Sequence, residues 1–316
     1  MTVQTLTLAT AARMLREAII DRSYQRETRL GGAVAQYLAW KRLSASARTL
    51  VIYEGYLARL CVELAYADPT IDQVTSEMLL EALTIYPTGS LRLVRTTYSD
   101  FFKWACRWGH RDRNPVDLLP AIPEPPMKVY DVFTATEQAQ LVKAADQMPL
   151  PWIQRLRVLC FVDLGIRSEE ARGLQPSDFD TVAKVVVVKG KGGKERVIPF
   201  GDETFRAFIT YRNRPIPNVR MQDERGKYRE ARAPLDDDYL FFPLGFVKRT
   251  GAVTWADPFR PLSDRAMRSW WQDRIVASAG VRYRSLHMNR HTLGTDLSTA
   301  GEDLATVQDW LGHASP

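Results

Sequence analysis

The sequence is poor in the features that cross-link a protein or anchor it in a membrane. Its three cysteines, Cys61, Cys106 and Cys160, include no C-x-x-C pair, so neither a disulfide framework nor a zinc knuckle is predicted. No window is apolar for long enough to span a bilayer, and five arginines interrupt the first thirty residues, which excludes the core of a signal peptide. We therefore expect a soluble, cytoplasmic protein with reduced cysteines.

Histidine is also scarce, and its distribution is uneven. The chain has four histidines, and three of them lie at positions 287, 291 and 313. A side chain that titrates near neutrality, set close to an arginine such as Arg290, suits chemistry on a phosphodiester. The net charge of +6 and the pI near 9.2 favour a polyanionic partner in the same way, although many basic proteins bind no polyanion.

Apolar residues at three- and four-residue spacing predict several helices in the first hundred or so residues. A leading helix is expected at 4–27, followed by a helical domain at 28–113. The last helix of that domain, from Ser90 to Trp108, has an apolar stripe at Leu93, Thr97, Phe101, Trp104 and Ala105 and carries Arg92, Arg95 and Lys103 on its opposite face. This basic face is either a solvated surface or a contact for a polyanion.

Prolines mark the boundary between two domains. Five of them lie between positions 114 and 126, and because proline cannot sustain a helix we expect an extended linker at 114–130. A second domain, 131–316, begins with a capping box formed by Thr134 and Glu137, so regular structure resumes directly after the linker.

The second domain is predicted to mix helices with a few strands. The β-rich runs 185–188 and 196–200 flank Gly190-Lys191-Gly192-Gly193, which predicts a β-hairpin with Lys191 at or beside its tip. A strand is expected at Tyr239–Phe242, inside an otherwise irregular insertion at 215–261. Further helices are expected at 263–278, 287–300 and 302–311, the last with Leu304, Val307 and Leu311 on one face.

Several basic side chains of this domain could act together on a phosphodiester. Arg167, at the junction of a turn with a short helix, and Arg290 could neutralise the non-bridging oxygens, because guanidinium groups are always charged and fork-shaped. Lys191, His287 and His313 could supply a proton to a departing oxygen.

The order of these residues is recognisable. Four segments resemble, in sequence, the signature motifs of the tyrosine recombinases, or phage integrases: Leu164-Gly165-Ile166-Arg167-Ser168-Glu169-Glu170, Val188-Lys189-Gly190-Lys191-Gly192-Gly193-Lys194, His287-Met288-Asn289-Arg290 and Trp310-Leu311-Gly312-His313. In the first domain, two segments are similar to the family's T-x-x-x-Y helix and to its aromatic helix end with a following N-P: Thr49-Leu50-Val51-Ile52-Tyr53, and Phe101-Phe102-Lys103-Trp104 with Asn114-Pro115. The chain is therefore identified as a member of this family.

The resemblance implies a fold that is mainly α with a small β component: a helical N-terminal core-binding domain followed by a mixed α/β catalytic domain. The two domains would close around double-stranded DNA, and candidate DNA contacts in the first domain are Arg48, Thr49, Arg92, Arg95 and Lys103. A homo-tetramer on DNA and a nucleoid-associated location in the cytoplasm are expected, with no metal and no cofactor.

The resemblance also implies a role for each motif residue. Arg167 and Arg290 would clamp the scissile phosphate, and Lys191 would protonate the leaving 5′ oxygen. His287 would assist proton transfer, His313 would hydrogen-bond the phosphate, and Glu170 would support Arg167.

One part of the family pattern is missing from the sequence. In the family a nucleophilic tyrosine follows the L-G-H motif, but this sequence ends at Pro316 and its last tyrosine, Tyr283, precedes the H-x-x-R box. We therefore expect a site-specific recombinase or integrase that binds DNA but lacks the nucleophile for a 3′-phosphotyrosyl intermediate. Trimming of an ordinary recombinase is the favoured explanation, and the alternative is a naturally truncated, non-catalytic DNA-binding regulator of recombination. The codons after Pro316 would distinguish the two.

Other interpretations of single residues are less well supported. His287 and His291 could form an H-x-x-x-H metal pair, but no acid adjoins them as in H-E-x-x-H. A single-strand relaxing topoisomerase would use similar chemistry, but the compact two-domain plan favours the recombinase. Three further basic residues are either solvated or phosphate-facing: Arg172, Lys194 and Arg196.

Overall fold

Two compact units make up the described part of the chain. The computed structural model describes residues 28–123, 129–190, 193–219, 231–246 and 252–312, and the units divide between Pro126 and Met127. Among these residues helices predominate over short strands, so the expected fold, mainly α with a small β component, is confirmed. The helix predicted at 4–27 and the residues Lys191 and His313 lie outside the described residues. Of the helices that the structure describes, none is both long and apolar enough to cross a bilayer.

The first unit is built from helices. Those described are α1 (Leu30–Lys41), α2 (Ala47–Glu63), α3 (Ser76–Leu83) and α4 (Thr88–Arg107), with 3-10 turns at Ile71–Gln73 and Pro115–Leu118. Hydroxyl side chains begin two of the helices, because the oxygens of Ser46 and Thr75 accept hydrogen bonds from backbone N–H groups that a helix start leaves unpaired. The polar residues between the apolar runs thus determine where α2 and α3 begin.

The buried face of α4 is rotated slightly from the predicted stripe. The stripe is buried at Thr97, Phe101, Trp104 and Ala105. Leu93, however, is 43% exposed, whereas Val94 is fully buried. The buried positions 94, 98, 101 and 105 follow helical spacing, which leaves position 93 on the solvent side. The prediction for Leu93 is therefore wrong.

The second unit combines helices with short antiparallel strands. Its helices are α5 (Ala135–Asp146), α6 (Pro151–Val162), α7 (Ser168–Gly173), α8 (Asp202–Arg212), α9 (Asp264–Ser269), α10 (Ala277–Ala279), α11 (Leu286–Thr299) and α12 (Leu304–Leu311), with a 3-10 turn at Pro176–Asp178 and a π-helical segment at Trp270–Val276. Its strands are β1 (Phe179–Asp180), β2 (Val185–Lys189), β3 (Glu195–Pro199), β4 (Leu244–Phe246) and β5 (Val253–Ala256). The capping box of Thr134 and Glu137 begins α5, and the predicted hairpin is present as β2–β3, in which Val188 pairs with Arg196.

The strand predicted at Tyr239–Phe242 is not formed. The fully buried Arg157 guanidinium instead donates to the carbonyl oxygens of Leu240 and Phe242, at 2.9 and 3.0 Å, while the Leu240 N–H donates to the carbonyl of Leu174. Because these bonds run to separate parts of the unit, the segment does not pair along a single neighbouring strand. The paired strands β4 and β5 lie within the stretch predicted to be irregular, so that prediction is wrong for these residues.

The last described helix, α12, packs against α11. Val307 and Leu311 are buried, whereas Leu304, at the first residue of the helix, is 67% exposed. Leu311 lies so close to Gly294 of α11 that a side-chain carbon at position 294 would be 3.1 Å from Leu311 Cδ1. This contact sets α12 against the helix that carries Arg290.

Candidate active site

The buried Glu170 carboxylate joins two arginines at the start of α7. Its Oε1 accepts hydrogen bonds from the Nη1 atoms of Arg167 and Arg196, both at 2.7 Å, and its Oε2 accepts from Arg196 Nη2 at 2.8 Å. Burial opposes ionisation of this side chain, but hydrogen bonds from Arg196 and Arg167 outweigh burial and lower the pKa of Glu170 to about 2. Glu170 is therefore ionised at neutral pH and offsets part of the charge of the two guanidinium groups.

Local sequence explains why Arg167 and Glu170 meet. Arg167 is the N-cap residue of α7, with an extended backbone, and Glu170 is the third residue of the helix. Glu170 Oε2 accepts a hydrogen bond from the backbone N–H of Arg167 at 2.8 Å, which is the reciprocal bond of a capping box. The three-residue spacing thus lets Glu170 bind both the backbone N–H of Arg167 at the start of the helix and the Arg167 guanidinium.

Arg290 brings another guanidinium group to this place from α11. It is 2% exposed, and its Nη1 donates to the carbonyl oxygen of Gly165 at 3.1 Å. Its Nη2 is buried and has no hydrogen-bond partner among the described residues. Burial, and then the positive charges of Arg167 and Arg196, lower the pKa of Arg290 to about 10, so the group stays protonated at neutral pH. A buried, charged donor of this kind favours an anionic oxygen.

Two glycines allow the motif segments to approach each other. Gly165 has a φ of +57°, and a side-chain carbon there would lie 2.7 Å from Leu293 Cδ2. Gly312 has a φ of +63°, and a side-chain carbon there would lie 2.8 Å from Arg196 Cδ. Glycine alone adopts such a backbone readily and fits so little space. The Gly312 carbonyl accepts a hydrogen bond from Arg167 Nη2 at 2.9 Å, which joins the first and last motifs.

Three predicted site residues, Arg167, Glu170 and Arg290, are thus brought together. His287 lies three residues before Arg290 on α11, and its side chain is exposed. Its ring meets that of His291 edge to face, with 4.7 Å between the ring centroids. Because residues three apart on a helix lie on the same side, His287 is placed near the solvent side of the arginine cluster.

Two predicted catalytic residues, Lys191 and His313, lie outside the described residues. The chain directly before each of them can be placed. A side-chain carbon at Gly190 would lie 3.6 Å from Glu170 Oε1, and Gly312 belongs to the cluster through its carbonyl hydrogen bond. Both motifs therefore reach the cluster at the last described residue before the predicted catalytic side chain.

Arg196 is a member of the cluster that sequence reasoning did not assign. Its side chain is 12% exposed and binds both Glu170 and the carbonyl oxygen of Trp310. The signal that could have found it is the alternation along β3: Ile198 is fully buried, whereas Val197 is 57% exposed. Since alternate residues of a strand share a face, Arg196 lies on the buried side with Ile198.

His291 has a packing role beside the cluster. Its ring stacks on that of Tyr130, with centroids 3.7 Å apart and planes 16° apart. Burial and the nearby charge of Arg290 lower the pKa of His291 from its ordinary value. In the part of the chain that the structure describes, no group of three histidine, cysteine, aspartate or glutamate side chains is placed to hold a metal ion.

The predicted DNA contacts lie in the first unit and differ in exposure. Arg48 is exposed in the first turn of α2, and Thr49 beside it is half-buried. Arg92 and Lys103 are exposed on α4. Arg95 is half-buried, and its Nη2 donates to a backbone carbonyl of the same unit at 3.1 Å. Part of the Arg95 guanidinium thus stabilises the unit itself.

Residues 131–316, more than half of the chain, match the sequence pattern of the phage integrase family. The chain belongs to this family. It is 29% identical over 216 residues to the tyrosine recombinase XerC of Bacillus pumilus strain SAFR-032, covering 68% of this chain and 63% of that protein. It is 31% identical over 189 residues to XerD of Mycobacterium tuberculosis strain H37Rv, covering 60% of this chain and 53% of that protein. The integrase-family chain thus spans less than two thirds of the length of either relative.

Solved structures of integrases share the fold of this family member. A lambda integrase dimer bound to a COC′ core site is similar with a TM-score of 0.63 at 19% identity, covering 91% of this chain and 96% of that chain. The Tn1549 transposon integrase in complex with transposon right end DNA is similar with a TM-score of 0.67 at 15% identity, covering 91% of this chain and 92% of that chain. At these identities the similarity establishes the fold.

Proposed function

We propose that this integrase-family protein is a site-specific DNA recombinase that cleaves and rejoins DNA strands through a 3′-phosphotyrosyl intermediate. The observation that carries the proposal is the buried Arg290 guanidinium, whose Nη2 has no partner among the described residues while Arg167 and Arg196 add positive charge beside it. A buried cation is costly unless an anion compensates it. A DNA phosphodiester is such an anion, and the net charge of +6 suits a polyanion.

The cluster can stabilise the transition state of phosphoryl transfer. Arg167 and Arg290 would neutralise the non-bridging oxygens as a tyrosine oxygen bonds to phosphorus and the bond to the 5′ oxygen breaks. Lys191 would give that 5′ oxygen its proton, His287 would assist proton transfer by accepting the proton that the tyrosine hydroxyl loses, and His313 would hydrogen-bond the phosphate. The phosphotyrosyl ester retains the free energy of the broken bond, so attack by a 5′ hydroxyl rejoins the strand without a cofactor.

Glu170 supports the arginines rather than reacting. Its pKa of about 2 makes the carboxylate a poor proton donor or acceptor at neutral pH. Three hydrogen bonds, from Arg167 Nη1 and from Arg196 Nη1 and Nη2, instead orient both guanidinium groups, and a fourth comes from the backbone N–H of Arg167.

We assign the nucleophile to no tyrosine in the described part of the second unit. Tyr211 is fully buried, Tyr239 is half-buried in the segment that Arg157 binds, Tyr130 is stacked on His291, and Tyr283 precedes the helix that carries Arg290. None of these four hydroxyls is therefore proposed to attack the scissile phosphate. The test uses nicked suicide duplexes built from sequences that the protein enriches from a random pool. A DNA–protein adduct that survives denaturing electrophoresis and is mapped by mass spectrometry to one of these four tyrosines would overturn this assignment.

Binding to DNA is tested separately from cleavage. The polypeptide is titrated into a fluorescein-labelled duplex of random sequence while fluorescence anisotropy is followed at several salt concentrations. We expect the affinity to fall steeply as salt rises, because phosphate contacts release counterions. Absence of binding at low salt would refute the proposed function.

Assembly is part of the same proposal. A solved structure of lambda integrase, similar to this chain with a TM-score of 0.63, is described as a tetramer bound to a Holliday junction. We propose that this protein likewise forms a homo-tetramer on two duplexes of double-stranded DNA. Light scattering after size exclusion should show the tetramer with DNA and smaller species without it, and a stable tetramer in the absence of DNA would contradict this.

A further inference from the structure

Arg196 makes hydrogen bonds in two directions from the face of β3. Its Nη1 and Nη2 donate to the two carboxylate oxygens of Glu170, at 2.7 and 2.8 Å. Its Nε donates to the carbonyl oxygen of Trp310 at 3.0 Å. A bidentate guanidinium–carboxylate pair has a defined plane, so the position of Glu170 determines where Nε points.

These bonds cap the end of α12. The last carbonyls of a helix lack partners within the helix, and here the Trp310 carbonyl accepts from Arg196 while the Gly312 carbonyl accepts from Arg167. Cationic groups near the carbonyl end of a helix also interact favourably with the negative end of the helix dipole. Glu170, Arg167, Arg196 and the end of α12 therefore form one closed set of hydrogen bonds.

The space around Gly312 shows that this arrangement is tight. Gly312 ends α12 in the left-handed region, and a side-chain carbon there would lie 2.8 Å from Cδ, 3.2 Å from Nε and 3.3 Å from Nη1 of Arg196. The arginine stem and head thus lie flat against the helix end. The Gly312 backbone therefore cannot move towards Arg196 without a steric clash.

We propose that Arg196 is a positioning residue, which holds the end of α12, and with it the backbone from which His313 follows, against the Glu170–Arg167 pair. The effect of Arg196 on DNA binding rests on the proposed function, whereas the contact between Arg196 and the end of α12 does not. Arg196 acts through Glu170 and the Trp310 carbonyl rather than as a phosphate ligand. In this respect it differs from Arg290, whose Nη2 has no partner among the described residues.

The contact is tested by hydrogen exchange of the full polypeptide, read by mass spectrometry in peptides that cover 304–312. We compare the wild type with Arg196→Met and Arg196→Lys. The lysine keeps the charge but cannot reach Glu170 and the Trp310 carbonyl together. We expect exchange in these peptides to rise about tenfold in both variants, while peptides from α5 and α8 stay unchanged.

Arg172→Lys is the matched control. Arg172 is also a half-buried arginine of the second unit, and its Nε donates to the backbone carbonyl of Leu262 at 2.6 Å, away from α12. Its replacement should leave exchange in 304–312 at the wild-type rate. Equal acceleration in the Arg172 and Arg196 variants, or wild-type exchange in Arg196→Lys, would overturn the proposal. If Arg196→Met does not fold, Arg196→Lys and the control still decide the question.

The salt dependence of DNA binding separates positioning from phosphate contact. Loss of one direct contact lowers the slope of log affinity against log salt by about 0.9, whereas loss of a positioning residue weakens binding with little change of slope. We expect the second result for Arg196→Met, and a slope loss of about 0.9 would instead make Arg196 a phosphate ligand. If the wild type does not bind DNA, the proposed function fails, but the exchange experiment still decides whether Arg196 positions α12.

Discussion

Arg290 Nη1 donates a hydrogen bond to the carbonyl oxygen of Gly165, 125 residues earlier in the chain, at 3.1 Å. This bond joins the H-x-x-R segment on α11 to the turn directly before Arg167. Arg290 is therefore placed next to the segment that carries Arg167, whose positive charge contributes to lowering the pKa of Arg290. Because Gly165 has a positive φ and no room for a side chain, its carbonyl can take this position only as glycine.

Arg290→Met is expected to weaken DNA binding while changing the stability of the protein little. The buried guanidinium makes no ion pair with any carboxylate that the structure describes and lies beside two other cations, so its removal should change the free energy of unfolding by less than about 1 kcal/mol. Affinity for duplex DNA should fall at least about tenfold, since a charge-assisted phosphate contact is lost. Chemical denaturation and fluorescence anisotropy measure the two effects.

Arg284→Met is the contrast for that variant. Arg284 donates to Asp131 and Glu137, both at 2.9 Å, so its loss breaks two charge-assisted hydrogen bonds and should cost at least about 1 kcal/mol. A larger loss of stability in Arg290→Met than in Arg284→Met would show that the buried charge of Arg290 is compensated within the protein.

Glu170 should make folding depend on pH in the acid range. Its pKa is about 2 in the folded protein against an ordinary value of 4.5, so the unfolded chain takes up this proton first as pH falls. The stability that Glu170 contributes is therefore complete above about pH 5 and is lost as pH falls towards 2, a change of roughly 3 kcal/mol. Urea unfolding at several pH values should show a shallower acid dependence for Glu170→Gln than for the wild type. Parallel curves would count against the predicted linkage.

Gly312→Ala is expected to destabilise the protein more than Gly280→Ala. Both glycines end helices with similar positive φ values, +63° and +66°, but only position 312 would bring the new carbon within 4 Å of a neighbour, which is Arg196. The backbone strain is therefore shared, and the crowding should add roughly 1 kcal/mol at position 312. Thermal unfolding of both variants measures the difference.

A double variant identifies the source of that crowding. Combining Gly312→Ala with Arg196→Ala should cost less than the sum of the two single changes, because the δ carbon that crowds position 312 is gone. Strict additivity would mean that Arg196 is not what restricts position 312.

His291 should titrate below its ordinary pKa of 6.5, because burial and the Arg290 charge both disfavour its protonated form. The folded state then binds this proton less readily than the unfolded state, so the stability linked to His291 is present above pH 6.5 and is lost as pH falls through the folded pKa. Arg290→Met should move the pKa of His291 upwards by removing one of the two causes. NMR titration of the imidazole protons, assigned with His291→Gln, checks the direction, and a downward shift would contradict it.

Local features of the fold were predictable because their causes are local. The capping box of Thr134 and Glu137 places the start of α5 within four residues of sequence, and the glycine-rich turn between two β-rich runs places the β2–β3 hairpin. The misplaced strand at Tyr239–Phe242 has a different origin. That run is apolar like a strand, but it is held by the buried Arg157 guanidinium, whose position depends on packing far along the chain.

The same division holds within the candidate site. By itself, the sequence determined that Arg167, Glu170 and Arg290 stand in a recognisable order, and that Glu170 follows Arg167 by the spacing of a capping box. The tertiary structure decided that Arg290 is buried against Gly165, and that Arg196, left between two interpretations, binds Glu170 and the end of α12. A hydrogen bond requires two groups within about 3 Å of each other, and for residues a hundred positions apart only the packing of the whole unit sets that distance.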